Sequence, residues 1–380
     1  MTQTCADPIP EIDASRRVLR INYIMPRPNL GGGIKSSKLI AEAMVRRGHD
    51  VRIIFPNKPI PLPPIWRVRT FAKTLRHRLS PTGGLRLHHL QTSTARLIAV
   101  PRLRLEPSDV PDGDICMASW WETMEMINSW PESKGVKVHY IRGHEVFHRE
   151  KERVRQVYLL NHRKVVNSLF LQRVMREEYD RESVVVHNGI DWNQFGALVR
   201  DRQATPTVGF MVGSSRLKGA HTAFEALRLV QKVIPELRVV CFGMDRMDNG
   251  HKLPAHVTYM QHPEQMRIAE IYRSADCWIV PSVTEGLPMP GLEAAACRCP
   301  IVATRCGGTG DYVQDGLNGF LVAVEEPREM ADRIIDVLQA GDETWRCMSE
   351  ASYRIAQSFN WDRSAALLEQ TLLAALAKSA

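Results

Sequence analysis

Cys277-Trp-Ile-Val-Pro281 is an unbroken apolar run of five residues, too short for a helix and lacking the alternation of a half-exposed strand. Such a run reads as a strand buried on both faces, and strands of that kind belong to parallel sheets covered by crossover helices. This one stretch restricts the chain to an α/β architecture. A loop, Ser282 to Met289, comes after it. Pro290 then suits the first turn of a helix, because its missing N–H is one of the donors left free there. Glu285 falls in the loop and Glu293 in the opening turns of the helix, with free peptide N–H groups between them. A helix start binds phosphate through its amides and dipole, and a carboxylate can hold a sugar diol by two hydrogen bonds. Two carboxylates across such a corner suggest a nucleotide sugar. The plainer reading is two solvated acids flanking a tight turn.

The rest of the chain repeats this grammar. Val18–Met25 reads as a strand, Gly31-Gly32-Gly33 as a turn, Ile34–Arg47 as a helix stopped by Gly48, and Val51–Phe55 as the next strand. A glycine turn at a strand's carboxyl end is where open α/β sheets bind ligands. Gly32 and Gly33 are therefore candidates for close approach to a phosphate, with a flexible turn as the alternative. Asp114–Ser119 and Lys137–Ile141 read as further strands, and Arg142-Gly-His-Glu-Val-Phe147 comes after the second. Residues just past strand ends carry chemistry in such folds, which makes His144 and Glu145 candidates. Arg200–Pro206, polar and strand-breaking, reads as a domain boundary. Beyond it come a strand at Thr207–Val212, a helix at Ala220–Ile234, a strand at Leu237–Phe242 and a helix at 263–275. Helices are expected again at 328–340, 343–359 and 361–377.

With 380 residues, 44% of them hydrophobic, the chain can bury two large cores. No run approaches the roughly 18 apolar residues of a membrane span, and the polar first fifteen residues do not read as a signal peptide. The eight cysteines lack zinc-type spacing and read as reduced thiols, so a cytoplasmic location is expected. Charge is unevenly spread. Val51–Leu105 holds eleven Arg and Lys and no acid, leaving 39 basic against 42 acidic residues elsewhere. Within it, Trp66–Leu79 sets Val68, Phe71, Ala72, Leu75 and Leu79 on one helical stripe with cations around it. Two readings stay open for 65–79: a surface helix packing its stripe, or a helix lying on an anionic membrane from the inner face. Few aromatics accompany these cations, which argues against nucleic acid.

Glu285-Gly-Leu-Pro-Met-Pro-Gly-Leu-Glu293 resembles the glutamate-x7-glutamate signature of the retaining glycosyltransferases of family four. Pro300–Thr304, Gly307-Gly308 and Asp315–Val322 resemble the segments downstream of that signature in the family, and Val184–Asp191 resembles its entry to the interdomain linker. The resemblance implies the GT-B fold: two Rossmann-like domains facing each other across a cleft, with the last helix crossing back to the first. Residues 15–200 plus 361–377 would then form an acceptor domain, and 201–360 a donor domain. It implies transfer of a sugar from a nucleoside diphosphate to a hydroxyl of a glycan or lipid-linked acceptor. Configuration would be retained, with neither metal nor cofactor. Glu285 would face the sugar and Glu293 the ribose. Gly286, Leu287, Pro288 and Met289 would offer the helix start to the diphosphate. Lys218 matches the family's loop lysine. Arg216 stands closer to it than the family's arginine does, and Ser214 or Ser215 falls nearer that slot. His144 would be the family's histidine, although a slip of two residues puts Arg142 there. The Tyr140–Phe147 and Thr207–Lys218 regions look most like members acting on rhamnose- or mannose-containing surface polysaccharides. The competing readings are another GT-B activity, an epimerase or a phosphorylase, or a binding protein that has lost turnover.

Overall fold

The structure is a computed structural model, and it describes residues 17–58, 89–146, 150–213, 215–244 and 254–379. The basic helix expected over 65–79 lies outside them. A seven-stranded sheet holds β1 (Arg20–Ile24), β2 (Asp50–Pro56), β3 (Arg96–Val100), β4 (Ile115–Ala118), β5 (Val136–Ile141), β6 (Arg163–Val166) and β7 (Ser183–Val185). Its order is β3-β2-β1-β4-β5-β6-β7. A six-stranded sheet holds β8 (Thr207–Val212), β9 (Arg238–Gly243), β10 (Val257–Gln261), β11 (Cys277–Val280), β12 (Ile301–Thr304) and β13 (Gly319–Val322), in the order β10-β9-β8-β11-β12-β13. Every pairing is parallel. All four residues of β11 are buried, as its apolar run requires.

The two orders share a feature that matters for function. Each sheet grows outward from its first strand, then the chain returns to that strand's other side and grows the opposite way. The reversal falls between β1 and β4 in one sheet and between β8 and β11 in the other. In open α/β sheets ligands bind beyond the carboxyl ends of the strands at such switch points.

The chain divides into two compact units. The first runs to Asn188, apart from Ser168–Phe170, and takes back the residues from Trp361; the second covers Ser168–Phe170 and Gly189–Asn360. The division falls at Gly189 rather than in the Arg200–Pro206 stretch. That stretch is polar because it is fastened to the second unit, not because it is free. The Arg200 guanidinium donates to the Ala275 carbonyl at 2.6 Å. Asp276 accepts from the Gln203 and Thr207 amides at 2.7 and 2.9 Å. Ile190 and Phe195, further upstream, are already buried in the second unit's core.

The last helix, Trp361–Ala377, belongs to the first unit. Trp361, Ala365, Leu368 and Leu372 enter the same core as Ile40 and Met44 of the helix Gly32–Arg46. Full burial is worth about 1.5–3 kcal/mol for a leucine. Among the described residues no helix is long and apolar enough to cross a membrane, and the seven described cysteines are all free.

Candidate active site

The second unit builds its site by laying two loops against each other. Arg216–Lys218 forms a short 3-10 turn after β8, capped by the Ser215 hydroxyl, which accepts from the Leu217 amide at 3.3 Å. Gly219 comes next with φ +67°, a backbone that glycine adopts without strain. A Cβ there would lie 1.8 Å from the Pro281 carbonyl oxygen. The turn after β8 thus rests on the loop after β11, and the Val283 amide donates to the Leu217 carbonyl at 2.8 Å.

That approach brings Lys218 Nζ to 2.5 Å from Glu285 Oε1. The Ser282 hydroxyl donates to the same oxygen at 3.1 Å. The main chain of Glu285 is held as well, since its amide donates to the Cys306 carbonyl at 2.8 Å. Gly307-Gly308 passes against it: Cβ atoms at these positions would meet the Glu285 and Gly286 carbonyl oxygens at 2.2 and 2.0 Å. Lys218 is 35% exposed and Glu285 18%, so the pair is held by the fold yet open to a ligand. Met211, Lys218, Trp278, Ser282, Glu285 and Pro288 line a small pocket at the β8/β11 switch point.

The helix Met289–Ala296 starts at this pocket with Pro288 as its N-cap and no side chain capping it, so the positive end of its dipole lies at the pocket. Of Gly286, Leu287 and Pro288, which lead into it, Leu287 is a core residue, and the Pro288 carbonyl accepts from the Tyr312 hydroxyl at 3.1 Å. Glu293 lies in the helix interior and is buried, with Oε2 accepting from the Tyr272 hydroxyl at 2.8 Å. Burial, then the neighbouring Glu293, hold the Tyr272 phenol well above its ordinary value, so Tyr272 remains a donor. Arg216 is not brought to this pocket. Its side chain is 94% exposed and lies 3.8 Å from Glu325.

In the first unit, the two alternatives for the residue after β5 point different ways. Arg142 comes directly after β5 and reaches the glycine-started helix: its Nη1 donates to Ser36 Oγ and to Asn188 Oδ1, both at 2.9 Å. Its guanidinium sits 4.3 Å over the Tyr140 ring. His144 instead sets Nε2 at 2.8 Å from the Tyr179 hydroxyl and 3.6 Å from Glu178. Burial lowers its pKa, and Glu178 opposes that shift. Arg142, not His144, therefore stands beside Gly32 and Gly33. Those two glycines open the helix, and a Cβ on either would meet nothing within 4 Å. Their use is thus not packing.

Glu145 accepts from the Trp121 amide at 3.2 Å, and its own amide donates to the Tyr158 hydroxyl. Burial pushes its pKa up to about 8. A carboxyl whose folded pKa is raised contributes stability that is complete below its unfolded pKa, near 4.5, and is lost as pH rises through about 8. The first unit should therefore lose stability between those values, and Glu145→Gln should flatten the decline. Urea unfolding at a series of pH values checks this, and an unchanged slope in the variant would assign the decline to other groups.

Sequence reasoning found Lys218, Glu285 and Glu293 but passed over Tyr272 and Ser282. Ser282 was visible as the first loop residue after β11. Tyr272 sits on the helix Gln265–Arg273, and nothing local to Glu293 signals it.

Residues 205–340 match the family described as glycosyl transferases, group 1. D-inositol 3-phosphate glycosyltransferases of Mycobacterium bovis and Mycobacterium tuberculosis are 29% identical over 199 residues, covering 47% of this chain and 41% of theirs. The chain thus spans less than half the length of these relatives. Among solved structures, sucrose-phosphate synthase from Thermosynechococcus elongatus superposes with a TM-score of 0.67 at 16% identity, covering 95% of this chain and 100% of that one. Anabaena HepE in complex with UDP and glucose gives 0.66 at 17%, covering 93% and 99%. The catalytic domain of starch synthase IV from Arabidopsis thaliana, bound to ADP and acarbose, gives 0.68 at 13%, covering 95% and 100%. With two parallel Rossmann-like sheets, the fold is that of these GT-B proteins.

Proposed function

We propose, from the membership of residues 205–340 in the group 1 glycosyl transferases, that this chain moves a sugar from a nucleoside diphosphate to a hydroxyl acceptor with retention of configuration. The observation that carries this reading is the Lys218–Glu285 pair at 2.5 Å, poised at the second sheet's switch point beside an uncapped helix start. Glu285 faces the sugar hydroxyls. Lys218 and the positive end of the dipole of the helix Met289–Ala296 offset the charge that develops on the departing diphosphate. Glu293, held by Tyr272, takes the ribose. By family resemblance no metal takes part, so the cation must come from the protein, and Lys218 is the one at hand. HepE was crystallised with UDP and glucose and starch synthase IV with ADP, which supports a nucleoside diphosphate donor. The resemblance to enzymes of surface polysaccharides supports a glycan or lipid-linked acceptor.

A panel of nucleotide sugars tests this. Ligand binding to the native state alone stabilises it by about 2.7 kcal/mol at a hundredfold excess over Kd, so the true donor should raise Tm visibly and yield a new glycoside in the presence of EDTA. An isomerised or phosphorylated sugar as product would redirect the reading to another GT-B activity. Lys218→Ala should weaken binding of the free nucleoside diphosphate by about tenfold, the lower end expected for a charged hydrogen bond. Equal calorimetric affinity in wild type and variant would remove Lys218 from the diphosphate site.

A further inference from the structure

Glu293 carries its carboxylate in the interior of the helix Met289–Ala296, 8% exposed, and Leu292, Ala294, Ala295 and Ala296 around it all belong to the core. Burying a charged group is costly unless hydrogen bonds satisfy it. Here the Tyr272 hydroxyl, from the helix Gln265–Arg273, donates to Oε2 at 2.8 Å. The donor is itself held by three rings. Trp278 of β11 meets the Tyr272 ring edge-on with centroids 4.5 Å apart, and Phe242 of β9 and Phe195 lie at 5.9 and 5.8 Å. Tyr272 is fully buried, so it touches no ligand. Whatever it contributes to the site passes through Glu293.

Stability alone does not account for this pair, because two apolar groups of the same shape would fill the space at little or no cost. What the phenol supplies is direction. The last torsion of a glutamate side chain is broad and roughly two-fold, so the plane of an unpinned carboxylate is loosely set. A donor fixed by three rings pins Oε2, and with it the lone pairs that the carboxylate presents to a ligand. Hydrogen bonds weaken steeply as they bend. A carboxylate set in this way reads the position of a hydroxyl as well as its presence.

We propose that Tyr272 is a positioning residue for the nucleotide's ribose: its hydroxyl orients the Glu293 carboxylate, and that orientation makes the site select ribonucleotides over deoxyribonucleotides. The inference rests on the reading of Glu293 as the ribose contact. Selection follows because a buried acceptor built to meet a hydroxyl is left unpaired when the analogue lacks it.

Calorimetry on the full chain compares UDP, ADP and GDP with their 2′-deoxy and 3′-deoxy counterparts. Wild type is expected to bind one of the three, and to bind it roughly ten- to a hundredfold more tightly than at least one of its deoxy forms. Tyr272→Phe removes a single oxygen and keeps the ring. It is expected to lose most of that ratio, with the affinity for the deoxy form near that of wild type. A merely structural role would weaken both nucleotides alike and leave the ratio in place, as Lys218→Ala at the diphosphate should do. Phe195→Leu keeps the hydroxyl but loosens the ring, and a smaller loss of the ratio is expected there. That second variant carries the test if thermal unfolding shows Tyr272→Phe to be unfolded. A wild-type ratio in Tyr272→Phe, or in Phe195→Leu where it stands in, overturns the proposal and leaves the glycosyl-transfer reading intact. Equal affinity of wild type for ribonucleotide and deoxy forms does the same. Binding of none of the three by wild type counts against the glycosyl-transfer reading itself, and this proposal falls with it.

Discussion

Glu285→Gln is expected to lower the turnover of glycosyl transfer by roughly ten- to a hundredfold while changing donor affinity far less. Loss of a hydrogen bond made by a charged group costs about 1.5–3 kcal/mol, and each 1.4 kcal/mol on a barrier is about tenfold in rate. The carboxamide keeps the shape of the side chain, so the loop held between Cys306 and Leu217 should not move. It removes the negative charge that pairs with Lys218 and accepts from Ser282. If that charge serves the sugar as the glycosidic bond to the diphosphate breaks, the loss falls on kcat. The ion pair is partly exposed, and such pairs contribute about 0–1 kcal/mol to stability, so Tm should stay near that of wild type. Steady-state kinetics separate the outcomes. A wild-type kcat would take Glu285 out of the reaction, and a rise in KM alone would make it a binding residue only.

How much of this was legible in the sequence depends on where in each sheet an element lies. β11 reads correctly because interior strands of a parallel sheet are apolar on both faces, and a short run without polar residues has few other uses; β1, β2 and β8 read from mostly apolar runs that still bury Asn22, Arg52 and Thr207. Six strands were not read from the apolar pattern; four of them, β3, β7, β10 and β13, are at sheet edges, and β6 and β12 are short interior strands of four residues. Arg96–Val100 is mostly exposed, and Val257–Gln261 has no fully buried residue. Strand pairing on one side only leaves room for arginine, threonine and glutamine, which erases the apolar signal. The same reason makes Arg200–Pro206 misleading. Polar residues satisfied by carbonyls and by Asp276 look, in sequence, like polar residues facing water.

The candidate site divides along similar lines. Glu285 was legible because it lies just past a strand that the pattern locates, and Lys218 through its match to the family's loop lysine. Their pairing at 2.5 Å was not, since it depends on Gly219 and Gly308 letting loops far apart in the chain touch. The choice between Arg142 and His144 needed side-chain direction. Residues two apart leave a strand end on different courses, and only the contacts to Ser36 and to Tyr179 separate them.

Glu369→Ala should destabilise the first unit by about 3–5 kcal/mol, the cost of removing one partner from a buried ion pair. The last helix reaches the first unit with an apolar face, but its buried surface also carries a carboxylate that is 1% exposed. Arg47, 7% exposed, meets it with Nη2 and Nε both at 2.9 Å from Oε2, and His49 Nε2 lies 3.1 Å from Oε1. His49 Nδ1 accepts from the Leu19 amide at 3.2 Å, so the ring's proton is on Nε2, toward Glu369. Truncating Glu369 leaves a guanidinium in a place that water does not reach, and burial already lowers the pKa of Arg47. The exposed pair Arg46–Asp362, at 2.6 Å with both side chains about half exposed, joins the same two helices and serves as the control. Asp362→Ala should cost under about 1 kcal/mol. Replacing both buried partners, Arg47→Met with Glu369→Leu, should recover most of the loss, because an apolar pair of similar volume carries no desolvation penalty. Urea unfolding followed by far-UV dichroism reads all three variants, and the two units can give separate transitions. A loss in Glu369→Ala no larger than in Asp362→Ala would mean that the apolar face alone holds the helix, with Arg47 finding water or another acceptor once Glu369 is gone.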